Sequence, residues 1–575
     1  MPTGDKYGRR TFLKAAGATA AAATLAGCAG GNGGDGNGDG DGNGNGGGGG
    51  SGGTLIWARG DHPTNYDPQQ TTSGEVVKVT NQIFNQLIQF VPGGGGKLEA
   101  GLATDYELTE TTATLTLREG VTFHNGDEFT ADDFVATYRR FVDDSYQYYL
   151  GKESVTGKMS AYGPFTLGNW VKDVTADGKR SLTIELKQKY APFLRNLAMF
   201  ASSVLSKKQI EELGSDQQQL GANPVGTGPF TFDQMDNSNQ RVLLRKNGEY
   251  WGDGPHVDQV VFRGIKENST RAQAVVNGDA HVIDGIGAQA SKQIKSADSA
   301  TLLEKDGINV GYMAFNMARF EPFRKKKVRQ AISYAVNTKV IVEEIYEGFA
   351  TQADQPIPPN VLGYNDGVKP YPNDKQKAKK LLEEAGFGDG LTFQLATFSN
   401  PRGYNPSPLE TAQQVKSDLA DVGVTVEINQ FSTFSSFLDF TSQGKHDACF
   451  LGWYTDNADP DNFFYALLHP QVEDSKVPGG QDWVSWDTKG MNTLNVAAWA
   501  NPEYMTLVEK GQTTYDEGKR RTLYQQAGKL AHEEAPWVFI DYAKTLRGVN
   551  EAVDQSTYTV SSIGGPYLNT VKLKQ

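Results

Sequence analysis

From Thr54 onward the apolar residues recur at two alternating periods, and this alternation restricts the fold more than any other feature of the chain. "TLIWAR" (54–59) reads as an opening strand. "TATLTLREG" (112–120), "SLTIELKQ" (181–188) and "VLLRKN" (242–247) repeat every second residue, the spacing that lays one face of a strand on a core. Other segments follow the helical period. "KVRQAISYAVNTKVIVEEIYEG" (327–348) sets Val328, Ile332, Ala335, Val336 and Ile341 on one side, which predicts one helix stopping at Gly348. "DKQKAKKLLEEAGF" (374–387) and "LETAQQVKSDLADVGV" (409–424) are predicted helices closing at Gly386 and Gly423, the second followed by the strand-like "TVEINQF". Strands alternating with helices imply an α/β architecture in which helices cover the sheets. At 575 residues the chain exceeds what one core supports, so two or three domains are expected.

The first 53 residues lack both periods. "GRRTFLKAAGATAAAATLAGCAGG" sets Arg9 beside Arg10, then an apolar run from Ala15 to Ala26, then small residues ending in Cys28. The run is shorter than the ~20 residues a membrane-spanning helix needs, so it reads as an export signal. The pattern resembles a twin-arginine signal (1–28) ending in a lipoprotein box, in which Cys28 is lipidated and becomes the new N-terminus. Residues 29–53 are almost entirely Gly, Asn and Asp. Such a segment has too little to bury to offset its chain entropy and reads as a hydrated leash. Its "GGSGG" around Ser51 imitates a hydrolase nucleophile elbow by letter only, because no strand precedes it and no helix follows.

Composition removes several classes. A net charge of -13 leaves no basic stripe to release counterions from a phosphate backbone, which excludes a nucleic-acid partner. With only Cys28 and Cys449 in the chain, lipidation of the first leaves no internal disulfide, and Cys449 in "HDACFLGW" reads as buried in a strand. The seven histidines are scattered without H-x-H or HExxH spacing, and "HEEAP" at 532–536 lacks a second His, so no metal site is predicted. The basic run "RKKKVR" (324–329) reads as a solvated helix start.

The densest chemistry lies in "GWYTDNADPDNFF" (452–464), three aspartates and two asparagines among four aromatics. Counted from Asp456 as an EF-hand loop, Ala458 and Pro460 fall on ligand positions and Asp461 where Gly is needed, so a calcium loop fails. Asp459 or Asp461 suits the cap of a helix at "PDNFFYALL", and Asp456 is open to either a capping or a ligand role.

Several segments resemble the solute-binding lipoproteins of ABC importers for peptides and nickel, the family 5 solute-binding proteins. They are "LATDYELTETTATLTLREGVTFHNGDEFTADDFVATYRR" (102–140), "NPVGTGPF" (223–230), "VRQAISYAVNTKVIVEEIYEG" with "IPP" (357–359), "AKKLLEEAGF" (378–387) and the Asp-rich run. They occur in the family's order, and "NPRGYNP" (400–406) is most similar to dipeptide-binding members. The resemblance implies an α/β, bilobed periplasmic-binding-protein-like (Venus flytrap, type II) fold with an additional α/β domain on one lobe. Lobe I would comprise 54–88, 223–308 and 540–575, the additional domain 89–222, and lobe II 309–539, with the hinge near Val310 and Ile540.

The same resemblance implies an exported, non-enzymatic monomer, held on the outer face of the cytoplasmic membrane through Cys28. It would capture short peptides between the lobes and hand them to a membrane permease driven by ATPase subunits, with no cofactor. A buried peptide needs a carboxylate for its ammonium and an arginine fork for its carboxylate. The positions matching the family's are Asp456 and Arg402, with Trp453, Tyr454 and Tyr404 as candidate cleft walls. Read from the residues alone, Arg402 is as well placed to be a solvated loop arginine and the aromatics to be core. A nickel chelate, haem or an oligosaccharide is an alternative cargo. A receptor-docking sensor subunit and a secreted hydrolase are the remaining readings, the last without a credible nucleophile, dyad or metal set.

Overall fold

The computed structural model describes residues 52–399 and 401–574; Arg9, Arg10, Cys28 and the leash as far as Ser51 lie outside the described residues. Gly53, assigned above to the leash, is already bound in place. Its carbonyl accepts the Asp258 N–H at 2.9 Å and its own N–H donates to Asp258 Oδ2 at 3.2 Å.

Twelve strands form one extended sheet. In chain order they are β1 Thr54–Arg59, β2 Phe230–Asp236, β3 Arg241–Lys246, β4 Gln259–Gly264, β5 Val282–Ile283, β6 Ala300–Asp306, β7 Asn309–Phe315, β8 Ala350–Gln352, β9 Leu391–Phe398, β10 Val424–Phe431, β11 Ala448–Tyr454 and β12 Trp537–Asn550. Their spatial order is β10-β9-β11-β7-β12-β5-β1-β4-β3-β2, with β6 and β8 also paired to β12. The parallel pair of β9 and β10 is joined by the helix Pro408–Ala420, β1 pairs in parallel with β4 across the long inserted segment, and antiparallel pairs complete each half.

The 14-residue β12 belongs to both halves. Its first part pairs with β7 and β8, and Lys544–Asn550 pairs with β6. Only Gly307 and Ile308 separate β6 from β7, and the register of β7 on β12 shifts between Gly311 and Tyr312. The chain thus passes between the halves through two adjacent extended segments.

The strands expected from alternation are present. Thr112–Leu117 and Ser181–Leu186 bury every second side chain in a separate four-stranded antiparallel sheet with Ala103–Thr109 and Val171–Ala176. The apolar face of that sheet shares a core with Val310 and Trp537, whereas Ala136, Leu205 and Ile210 from the same part of the chain pack with Trp57 and Phe262. The inserted segment therefore packs against both halves of the main sheet. Cys449 is buried in β11, and burial pushes its thiol up, away from the reactive thiolate.

Two expectations need correction. The helix predicted for 327–348 breaks after Lys326–Ala335: Val336 is extended, a turn restarts at Thr338–Val340, and a wider π-type turn follows over Ile341–Ile345. Asn337 causes the break. Its side chain accepts the Val340 N–H at 3.2 Å, a local bond, and its own N–H donates to the distant Asp418 at 2.9 Å, and the two replace the helical ladder. The basic run is solvated only in part. Lys326 and Lys327 pair with Glu534 and Glu384 at the surface, but Arg329 is fully buried, donating to the Phe323 carbonyl at 2.8 Å and to Asp482 at 2.9 Å.

Asp459 holds the "DNADPDNFF" segment to the rest. Fully buried, it takes both arms of the Arg520 guanidinium at 2.6 and 2.8 Å and accepts the N–H of Asp461, the first residue of the short Asp461–Phe463 helix, at 2.9 Å, one position ahead of the Pro460 cap. Burial works to raise its pKa, and the charge of Arg520 outweighs that and leaves it below the ordinary value. Because removing one partner strands a buried guanidinium, Asp459→Ala should cost about 3–5 kcal/mol, read from the shift of the urea midpoint.

Candidate functional site

Two cavities meet in the space between the halves of the sheet. The first, of about 450 Å³, is lined by Lys78, Asp284, Tyr346, Arg402, Tyr454 and Arg547 among others; the second, of about 250 Å³, is lined by Phe90, Tyr162, Met199 and Asp456. Lys78, Arg547, Ser561 and Ser562 line both, so the two form one cleft with Arg402 in one part and Asp456 in the other. The walls come from distant parts of the chain: the helix Gly74–Ile83, the loop after β9, the end of β11, and β12.

Asp456 is set by the turn that ends β11. Asn462 Oδ1 accepts both the Asp456 N–H at 3.1 Å and the Trp453 indole N–H at 2.9 Å, and the Thr455 hydroxyl accepts the Ala458 N–H at 2.9 Å, with Ala458 at φ 54°. This leaves the Asp456 carboxylate facing the second cavity. It makes no ion pair among the described residues; its hydrogen-bond partner is the Tyr162 hydroxyl from the inserted segment. Burial raises its pKa to about 7, with the Tyr162 bond offsetting part of the rise.

Arg402 sits in a tight loop closed by reciprocal backbone bonds with Asn405 at 2.9 and 3.0 Å. Its guanidinium lies 3.7 Å from the Phe434 ring centroid, and its buried Nε has no acceptor. It forms no ion pair among the described residues, and burial lowers its pKa. Thus the Asp456 carboxylate and the Arg402 guanidinium border the cleft without an ion pair. Of the other charges here, Lys78 reaches Glu75 at 2.6 Å and Asp284 at 2.5 Å, Arg271 donates to four backbone carbonyls, and Arg547, which lines both parts, donates to the Leu546 carbonyl at 2.8 Å and makes no ion pair among the described residues.

The three aromatic candidates separate. Tyr454 lines the first cavity and is 40% exposed. Tyr404 is buried, its ring lying across Gly452, where a side chain would collide with it. Tyr404 and Trp453 line neither part of the cleft just described but a third cavity of about 560 Å³, which Arg402 and Tyr454 also border. Lys78, Tyr162 and Arg547 were missed from the sequence. Each lies in an unremarkable stretch far along the chain from Asp456, and only the fold brings them together. No group of three or more His, Cys, Asp or Glu is arranged to hold a metal ion among the described residues.

Residues 97–475 match the model of the bacterial extracellular solute-binding proteins, family 5 Middle. The chain belongs to this family. It is 30% identical over 532 residues to the dipeptide-binding protein of Escherichia coli (strain K12), covering 91% of this chain and 95% of that one. Among solved structures, it is similar to the ABC transporter-associated periplasmic binding protein DppA from Helicobacter pylori in complex with peptide STSA (29% identity, TM-score 0.76, 91% of this chain and 98% of that one). It is also similar to the dipeptide binding protein from Pseudoalteromonas sp. SM9913 in complex with Met-Leu (26% identity, TM-score 0.76, 91% and 100%). The fold is accordingly the bilobed type II periplasmic-binding-protein fold. No helix among the described residues is long and apolar enough to cross a membrane.

A carboxylate whose folded pKa stands near 7 ionises in the unfolded chain first, so it costs stability as pH rises from about 4 to about 7 and by a constant amount above. Asp456→Asn, which keeps the shape and stays neutral, should stabilise the ligand-free protein by an amount that is nil near pH 3.5, grows to pH 7 and then levels. Each pKa unit being worth about 1.4 kcal/mol, the gain is bounded by roughly 4 kcal/mol, read from denaturation at a series of pH values.

Proposed function

We propose that the protein is the extracytoplasmic binding component of an ABC importer and captures short, dipeptide-like peptides without chemically altering them. The observation that carries this reading is the pair of uncompensated charges in one cleft, Asp456 for a peptide ammonium and Arg402 for a peptide carboxylate. Leaving either charge buried and unpaired is costly, so a ligand bearing both opposite charges gains most from binding. The relatives named as dipeptide-binding and the two peptide complexes support it. The cavity sizes fall in the range of small-ligand sites.

In this reading lobe I (54–88, 223–308, 540–575) and lobe II (309–539) close on the peptide by bending where β6 passes into β7 and along the middle of β12. A ligand that touches both lobes shifts the equilibrium toward the closed form, because only differential affinity moves it. The closed monomer then docks on the permease. Tyr162, from the added 89–222 domain, completes the wall at the ammonium end. Membrane attachment is through Cys28, and Cys28→Ser should abolish incorporation of a fatty-acid probe and release the protein from the membrane fraction.

Mass spectrometry of ligand freed from the purified protein by mild denaturation tests the cargo directly: short peptides are expected, and a haem, nickel chelate or glycan overturns the reading. Titration calorimetry then tests the roles. Asp456→Ala should weaken binding of a free dipeptide by roughly 100-fold, about 3 kcal/mol, and that of its N-acetylated form far less. Equal losses for both would remove Asp456 from the ammonium site, and hydrolysis of the peptide during the titration would make the protein an enzyme.

A further inference from the structure

The third cavity borders Arg402 but not Asp456. It is bounded by Phe434 and Leu438 of the helix Phe434–Ser442, by Leu451, Trp453 and Tyr454 of β11, and by Leu494. Four large apolar side chains are exposed among the described residues, and three of them, Leu438 at 40%, Tyr454 at 40% and Leu494 at 47%, line this one cavity. Exposed apolar surface concentrated in one concavity marks a binding site rather than random scatter. Its position relative to the cleft is fixed by Arg402, Gly403 and Tyr454, which border both spaces, and by the Arg402 guanidinium resting on the Phe434 ring.

We infer that this cavity receives the side chain of the peptide's carboxyl-terminal residue, so that the protein selects short peptides ending in a bulky aliphatic or aromatic residue. The inference rests on the peptide reading above and on Arg402 as the carboxylate partner. Arg402 borders both spaces, and the Cβ of a residue whose carboxylate it holds is only two bonds from the carboxyl carbon, so that side chain has the two spaces to choose between. In the first cavity that side chain would meet the charged groups of Glu75, Lys78, Asp284, Lys544 and Arg547 and strip water from them without replacing it. In the third it covers leucine and aromatic surface instead. Polar side chains find little there: the Trp453 indole N–H is already committed to Asn462, and an acidic side chain would share the cavity with Asp439.

The test is calorimetry on the unliganded protein with Ala-Leu, Ala-Phe, Ala-Gly, Ala-Asp and the reversed Leu-Ala. Burying a leucine or phenylalanine side chain should make Ala-Leu and Ala-Phe bind roughly 10- to 100-fold more tightly than Ala-Gly, Ala-Asp or Leu-Ala. Leu438→Glu, at an exposed position that folding tolerates, should reduce the preference for Ala-Leu over Ala-Gly to less than about threefold. If all five peptides bind within about threefold of one another, or Leu-Ala matches Ala-Leu, the pocket assignment is overturned while the peptide reading stands. If none of them binds, both fall together.

Discussion

One strand belongs to both halves of the molecule, and the rest of the structure depends on that sharing. β12 gives its first residues to β7 and β8 and its last to β6, while the only other crossing is the two-residue step from β6 to β7. These two adjacent extended segments are where the chain connects the halves of the main sheet. At its centre β12 carries Asp541, which is 1% exposed with neither carboxylate oxygen hydrogen-bonded. Burial holds its pKa well above the usual carboxylate range. Gly311 on β7 has no side chain because that carboxylate fills the space where a Cβ would stand.

Charge is distributed around this connection in two distinct ways. The buried charges that hold the molecule together are matched: Asp459 by Arg520, Arg140 by Asp67 at 2.5 Å, Arg329 by Asp482 and backbone carbonyls. Asp456 and Arg402, which border the cleft, have no such partner. Within one 13-residue stretch the aspartates split between these roles. Asp459 fixes the turn, and Asp456 is left facing the cavity because Asn462 and Thr455 use their side chains on the surrounding backbone and indole N–H groups. Asp461, with a Tyr190 hydroxyl at 3.1 Å and Asp459 nearby, is pushed by burial to a pKa of about 7 and belongs to the packing behind the site.

Local periodicity carried the secondary structure well where a single rule applied. The half-buried strands at 112–117 and 181–186, the helix starting at the Asp374 cap, and the helices ending before Gly386 and Gly423 (φ 86° and 82°) follow from spacing and turn chemistry alone. The 327–348 helix failed because Asn337 finds its partner Asp418 some 81 residues away, which no local window contains. Arg329 was misread for the same reason, since an arginine in a basic run is told from its solvated neighbours only by the acid brought to it in the fold.

The α/β class and the family, through its ordered segments, were legible in the sequence, which also singled out Asp456 and Arg402 as candidates. These are properties of short windows, where identity and spacing are enough. Only the tertiary structure decided that Asp456 faces a cavity whose other wall is Tyr162, that Lys78 and Arg547 join its two parts, and that Trp453 and Tyr404 turn toward a separate apolar space. Those assignments depend on which distant surfaces exclude water from one another, and that is settled by packing across the whole chain rather than by any stretch of it.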